Sequence, residues 1–283
     1  MFKTKLFLLT QHCLPQHLLS RMSAYFTNSK YPPLKNFLIK LACKHFKISL
    51  DNAERENVEN YTSFNDFFTR ALKADARPID PEPNNLISPA DGAVSQFGSI
   101  TDQKLIQAKG KYFSLVDLLG GDIDTARQLE NGTFFTIYLS PSDYHRVHIP
   151  FDGKLLKMTY IPGKLFSVNK VTAENIDRVF SRNERVVCYF ETSFGIMPVI
   201  FVGALFVASI ITKWHGIVAP SYYGEIKSWD YHDQNIQYKK GEEIGHFQFG
   251  STVICCFPEN VLSWHANMET SATISMGEIV GNI

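Results

Sequence analysis

From residue 86 onward the chain consists of short apolar runs, each soon broken by Gly, Pro, Asn or Asp. Runs this short suit strands joined by tight turns better than long helices, so a β-rich body is predicted from here on. Three pieces share a Pro-to-Gly turn between apolar flanks: Ile87–Val94, Val147–Leu155 and Ile217–Ile226. Strands that turn at such points predict a small barrel or sandwich. The longest apolar run, Val199–Ile211, is well short of the roughly 20 residues that a membrane-spanning helix needs, and its Val, Ile and Phe content predicts buried strands. Helices are expected near Ser114–Gln128 and Ala173–Phe180.

The first 50 residues differ. They carry Lys3, Lys5, Arg21, Lys30, Lys35, Lys40, Lys44 and Lys47 and no acid, although the whole chain balances 28 basic against 28 acidic residues. A basic segment joined to an acidic body predicts two surfaces with different partners. In Leu34–Phe46 apolar groups recur at 34, 37, 38, 41 and 45/46, with Lys35, Lys40, Lys44 and Lys47 mostly outside that stripe. The pattern is a basic amphipathic helix. Such a segment can bury its apolar face shallowly in a bilayer while its lysines meet anionic headgroups, each worth about 1 kcal/mol. A helix packed on the body with solvated lysines is the plainer alternative. Lys3 and Lys5 precede an apolar stretch of only Leu6–Leu9, followed by His12, Gln16 and His17, so a signal peptide is not predicted. Residues 52–74 are expected to be helical, capped by Thr62 or Ser63, and Arg77–Pro83 to form a stiff connector.

The predicted class is therefore α+β: N-terminal membrane-associating helices, then a β-rich barrel or sandwich that carries the chemistry. The predicted divisions are a basic helical segment, 1–50; a helix and Pro-rich connector, 51–85; and a body split into 86–250 and 251–283. Cys13, Cys43, Cys188, Cys255 and Cys256 are odd in number, form no CxxC pair and read as reduced, buried thiols.

Three segments can carry chemistry, and each alone is ordinary. Pro89-Ala90-Asp91-Gly92 is a common turn composition. Tyr138–Pro150 holds His145 and His148, but no carboxylate or Cys completes a recognised metal spacing, so no metal is predicted. His148 lies between Val147 and Ile149, as a core histidine would, yet it also suits a general base. Phe249-Gly250-Ser251-Thr252 resembles countless turns. Taken together, Asp91, His148 and Ser251 supply an orienter, a base and a nucleophile. No GxGxxG follows a strand, no P-loop is present and no nucleic-acid motif occurs, so neither a dissociable nucleotide cofactor nor a nucleic-acid partner is predicted.

Over nearly its full length the chain resembles the bacterial phosphatidylserine decarboxylases. The resemblance rests on Phe64-Asn65-Asp66-Phe67-Phe68-Thr69-Arg70, Arg77-Pro78-Ile79-Asp80, Ser88-Pro89-Ala90-Asp91-Gly92, Lys109–Leu115, Asp143-Tyr144-His145-Arg146-Val147-His148, Pro162–Asn169 and Arg182-Asn183-Glu184-Arg185. Phe249 stands where many bacterial members have Leu, a change of local packing only. The resemblance implies that Asp91, His148 and Ser251 drive self-cleavage at Gly250–Ser251. Ser251 then becomes a covalent pyruvoyl cofactor, which forms a Schiff base with phosphatidylserine and releases CO2 to leave phosphatidylethanolamine. It implies a decarboxylation role for His145, α and β chains cut from one precursor, and a homodimer of the processed unit. It also implies a peripheral place on the cytoplasmic side of the cell membrane, with phosphatidylserine in the bilayer and an anionic lipid surface as partners.

The chemistry needs such residues. Losing CO2 from an amino acid leaves a carbanion, and no unmodified side chain offers an electrophilic carbonyl to accept it. Gly250, without a Cβ, lets Ser251 Oγ approach its own preceding carbonyl. Val253–Phe257 reads as a buried strand that would anchor the new N-terminus. A serine hydrolase acting in trans, and a membrane-binding β module without catalysis, are the alternatives.

Overall fold

A computed structural model describes residues 2–205, 209–219, 224–248 and 251–283. Phe249, Gly250 and the third Pro-to-Gly turn at 220–223 lie outside the described residues.

Three helices open the chain: α1 (Phe2–Cys13), α2 (Gln16–Thr27) and α3 (Pro32–Phe46). Proline at the start of α3 has the fixed φ of a first helical turn and no amide to leave unpaired. Side chains of α1 and α2 tie this segment to the body. The Gln11 and Gln16 carbonyl oxygens accept from the amides of Ser167 (2.9 Å) and Leu165 (2.7 Å), and His17 donates to the Gly163 carbonyl (2.9 Å). None of the described helices is long and apolar enough to cross a membrane.

The buried face of α3 corrects the sequence expectation. Ile39 and Ala42 pack with Tyr61, Phe64, Phe67 and Phe68 in a small separate core. Lys35 is buried on that face, its ammonium donating to Asn36 Oδ1 (2.7 Å) and to the carbonyls of Val58 and Glu59. Phe37 and Leu41, from the predicted apolar stripe, are 62% and 51% exposed. Docking onto the segment after residue 50 rotates the helix away from the face that periodicity alone selects.

Residues 52–74 are mostly not helical. Only Val58–Asn60 forms a 3-10 turn, and α4 covers Phe64–Phe68. Ser63 caps α4 as expected, accepting from Asp66 N at 3.1 Å. Backbone pairing of Asn52 and Glu54 with Lys73 and Ala71, and a bidentate Arg55–Asp66 ion pair, close the stretch into a compact loop instead. The expected helices at 114–128 and 173–180 each appear as two short ones: Leu115–Leu118 and Ile123–Gln128, then Lys170–Asn175 and Val179–Arg182.

The body is dominated, among the described residues, by a nine-stranded antiparallel sheet. Its main path runs Lys227–Asp230, Gly153–Ile161, Arg185–Thr192, Gly195–Val202, Ser251–Phe257, Thr133–Leu139, Gly92–Ser99 and Thr273–Ile274. Short Gln237–Tyr238 also pairs with Gly153–Ile161. The path has two ends, so the β-rich expectation holds but the described residues form no closed barrel. A four-stranded sheet, in the order Gly216–Ala219, Ile210–Thr212, Glu243–Phe247 and Arg146–His148, packs against the large one. Phe247 there lies 5.3 Å from Phe201 on the large sheet.

Ser251–Phe257 is the structural centre. It pairs with Thr133–Leu139 on one side and Gly195–Val202 on the other, and every residue is buried, as Val253–Phe257 predicted. Full burial of Val253, Ile254 and Phe257 contributes about 1.5–3 kcal/mol each. Further on, Thr273–Ile274 pairs with Gly92–Ala93, and Ile279–Asn282 with Asn85–Ile87. The 251–283 stretch is thus woven into the body at three places. The five cysteines are free; Cys188, Cys255 and Cys256 are buried as expected, but Cys43 is half-buried and Cys13 exposed.

Candidate active site

The strand register draws distant residues together. Along Thr133–Leu139, Tyr138 pairs with Ala93 on one side and Thr252 on the other, and Leu139 pairs with Ser251. Asp91, just before Gly92, and Ser251 therefore flank the same end of one strand. Gly92 makes this approach possible: a Cβ there would lie 2.3 Å from the Tyr138 carbonyl oxygen. Sequence reading assigned Asp91-Gly92 to turn conformation; close strand packing is the stronger demand.

His148 joins from the smaller sheet. Its amide donates to the Pro89 carbonyl at 2.8 Å, fixing it beside the Asp91 segment. The ring is buried and bonded at both nitrogens. Nδ1 is 2.8 Å from the Gly241 carbonyl oxygen and Nε2 is 3.0 Å from the Tyr144 hydroxyl. A carbonyl only accepts, so Nδ1 carries the proton and Nε2 accepts from tyrosine. Burial lowers the His148 pKa, against the Gly241 hydrogen bond and the charges of Glu243 and Asp91, which raise it. The ring is neutral near pH 7, as a general base must be.

Asp91 is buried, but its hydrogen bonds go elsewhere than to His148. Arg77 Nε donates to its two oxygens at 2.8 and 3.1 Å, Arg77 Nη2 bonds Oδ2, and the Met276 amide donates to Oδ1 at 2.9 Å. In this uncut chain Asp91 is therefore a charge near His148, and the Gly241 carbonyl orients the ring. Asp91 and Ser251 thus lie toward the same end of one strand and His148 beside the Asp91 segment, and among the described residues no continuous Asp–His–Ser hydrogen-bond chain joins the expected triad.

Ser251 is wholly buried at the head of the central strand, and its Oγ has no hydrogen-bond partner among the described residues. His145 is wholly buried too. Its Nδ1 donates to the Asp143 carbonyl at 2.8 Å, its Nε2 has no partner among the described residues, and its ring packs 4.2 Å from Phe68. Burial takes its pKa down to about 3. The His145 carbonyl accepts from the Phe247 amide at 3.1 Å, which ties this histidine to the end of the Glu243–Phe247 strand. A buried hydroxyl and a buried basic nitrogen, both without partners among the described residues, leave polar capacity unused. A small covalent group made from Ser251, with carbonyl oxygens of its own, fits this surrounding of unmet polar atoms.

Sequence reading missed Arg77, Tyr144 and Gly241. Arg77 read as part of a connector, and Tyr144 as a neighbour of two histidines. Only its spacing of four from His148, across a bent segment, hinted at contact.

A sequence model of the phosphatidylserine decarboxylase family matches residues 64–282, and a second, described as PSD, matches 6–47. The chain is similar to phosphatidylserine decarboxylase proenzymes from three bacteria. For Francisella philomiragia the identity is 51% over 278 residues, covering 98% of this chain and 97% of the relative. For Azotobacter vinelandii it is 49% over 282 residues, 99% and 98%. For Hahella chejuensis it is 48% over 279 residues, 99% and 94%. An α+β protein with buried Asp91, His148 and Ser251, matched in this way along its whole length, belongs to the phosphatidylserine decarboxylase family.

Proposed function

We propose that this chain is the precursor of a phosphatidylserine decarboxylase that cuts itself between Gly250 and Ser251 and uses the resulting pyruvoyl group to release CO2. The observation that carries the reading is Ser251: a buried hydroxyl with no partner among the described residues, heading a strand paired on both sides.

In the cleavage step Ser251 Oγ attacks the Gly250 carbonyl carbon, and the peptide bond gives way to an ester. His148 takes the hydroxyl proton, its Nε2 kept basic because Gly241 holds the other nitrogen's proton. The Tyr144 hydroxyl stands on Nε2, so the proton passes through that hydroxyl or displaces it. Asp91, whose charge raises the His148 pKa, favours the imidazolium as it forms. Loss of the Ser251 Cα proton then expels 1–250 with a carboxylate, and the dehydroalanine left on 251–283 hydrolyses to pyruvoyl and ammonia. The pyruvoyl ketone supplies the electron sink for the carbanion that decarboxylation creates. His145 Nε2, neutral and without a partner among the described residues, is the group we assign to handle a proton there. Strand pairing around 251–257, 273–274 and 279–282 keeps the shorter piece in place.

The substrate stays in a bilayer, and α1–α3 suit the approach. Leu9, Leu18, Met22, Tyr25, Phe37 and Leu41 are all more than half exposed. Nothing in ordinary packing requires so many large apolar groups at one end, and a peripheral contact with anionic lipid uses them.

Intact-mass measurement of purified protein tests the proposal. Two pieces with a blocked N-terminus at 251 are expected; a single uncut 32.2 kDa chain that decarboxylates phosphatidylserine would defeat it. A hydrolase acting in trans would retain the Ser251 hydroxyl and label with a fluorophosphonate after maturation.

A further inference from the structure

Arg70 follows α4 and is 4% exposed. Its Nη2 donates to the Ser142 carbonyl at 3.1 Å, but Nε and Nη1 are buried and have no partner among the described residues. Burial lowers its pKa, while Tyr61, Cys43, Asp91 and Asp143 act on it only through space. A guanidinium out of water with two unfilled donors is costly, and the usual remedy is an anion. Arg185 makes the contrast. It is as deeply buried, but its three nitrogens donate to the carbonyls of Leu118, Asn183 and Asp117. Arg185 fills all three nitrogens from main-chain carbonyls; Arg70 fills only one among the described residues.

The surroundings indicate which anion. Arg70 lies over the Phe67 ring, and its charge bears on His145. Phe68, next along α4, packs on His145, and Phe64 stacks on Phe68 at 6.0 Å. Phe64 also lines an apolar groove of about 420 Å³ with Leu38, Leu41 and Phe46 of α3. Phe64 and Phe68 thus connect the apolar groove to the His145 imidazole, and the guanidinium borders that path through Phe67 and through its charge on His145. A phospholipid carries a phosphodiester between its acyl chains and its amino acid, so one lipid lying along that path would bring an anion beside the guanidinium.

We propose that Arg70 binds the phosphodiester of the lipid substrate, an inference that rests on the decarboxylase reading above. The substrate carboxylate is the poorer candidate. It leaves as CO2, and a cation holding it would stabilise the ground state over the transition state. The phosphodiester survives the reaction unchanged and suits the planar fork of a guanidinium.

The test uses the full chain, as wild type, Arg70→Met and Arg70→Lys, with phosphatidylserine in detergent micelles. Inhibitors are glycerophosphoethanolamine, which has the phosphodiester and no carboxylate; ethanolamine, which has neither; and serine, which has only the carboxylate. A wild type that neither cuts itself nor decarboxylates would sink the parent reading by itself. With an active wild type, glycerophosphoethanolamine should inhibit at least about tenfold better than ethanolamine, the weight of one charge-assisted pair. A cut Arg70→Met should lose that preference and show KM raised about tenfold, with Arg70→Lys between. Equal inhibition of wild type by the two amines, or a cut Arg70→Met that keeps the preference, would overturn the proposal. So would serine outcompeting glycerophosphoethanolamine, which assigns the guanidinium to the carboxylate. If Arg70→Met does not mature, the wild-type comparison and Arg70→Lys decide, and an unchanged KM in Arg70→Lys overturns it.

Discussion

The Nδ1 of His148 lies 2.8 Å from the carbonyl oxygen of Gly241, and its Nε2 lies 3.0 Å from the hydroxyl of Tyr144. A main-chain carbonyl thus sets the tautomer that an acidic side chain sets in many serine nucleophile systems. Tyr144→Phe removes the hydroxyl on Nε2 and keeps the ring. Self-cleavage is expected to slow by about tenfold or more if the proton passes through that hydroxyl. A gel time course after synthesis checks this, with uncut Ser251→Ala as reference. An unslowed Tyr144→Phe would mean that Ser251 displaces the tyrosine.

Asp91 and Arg77 can be separated. Either Asp91→Asn or Arg77→Met breaks their buried pair and should lower unfolding stability by about 2–4 kcal/mol in urea. Only Asp91→Asn removes the negative charge near His148. It should stay largely uncut, while folded Arg77→Met still matures. Equal loss of processing in both would reduce Asp91 to a structural role.

Acid should act in two ways. His145 and His148 both have pKa values below the usual range, chiefly through burial. The unfolded chain then binds more protons than the folded one. The histidine contribution to stability is fully present above about pH 6.5 and is lost as pH falls toward about 3, the value for His145. Self-cleavage, which needs neutral His148, should hold its rate from pH 8 to somewhat below 6.5 and fall only beyond. Stopped synthesis reactions shifted to set pH values measure this; a drop already at pH 7 contradicts the lowered pKa.

Gly92→Ala puts a methyl group 2.3 Å from the Tyr138 carbonyl oxygen, and backbone atoms must yield. A loss of about 2–4 kcal/mol is expected, with slower maturation because Asp91 moves with its neighbour. Thermal unfolding and the processing gel report the two effects separately.

The outward face of α3 should contact lipid. Phe37→Ser with Leu41→Ser removes exposed apolar groups and leaves buried Ile39 and Ala42 untouched. Binding to phosphatidylserine vesicles should weaken by about tenfold, since each buried side chain is worth about 1.5–3 kcal/mol at most and a shallow site recovers only part. Lys35→Gln is the control: its ammonium is bonded inside the protein, so it should lower stability with little change in lipid binding.

Much of this protein was legible in its sequence because the signals are local. Val253–Phe257 read as a buried strand, Thr62 or Ser63 as a helix cap (Ser63 takes the role), and the short broken runs after residue 86 as sheet. Asp91, His148 and Ser251 stood out as chemistry-bearing residues; the register sets Asp91 and Ser251 on either side of one strand, and a backbone bond to Pro89 holds His148 beside the Asp91 segment. Failures came where distant partners override local preference. The face that α3 buries depends on Tyr61 and Phe64–Phe68, so Lys35 went inward against its charge. Residues 52–74 gave up helix for a loop closed by Arg55–Asp66 and by backbone pairing. Which atoms satisfy Asp91 and His148 was decided by Arg77, Met276, Gly241 and Tyr144. Periodicity and residue type report what a segment can do; hydrogen-bond partners between remote segments exist only once strand register and helix docking have brought their atoms within about 3 Å.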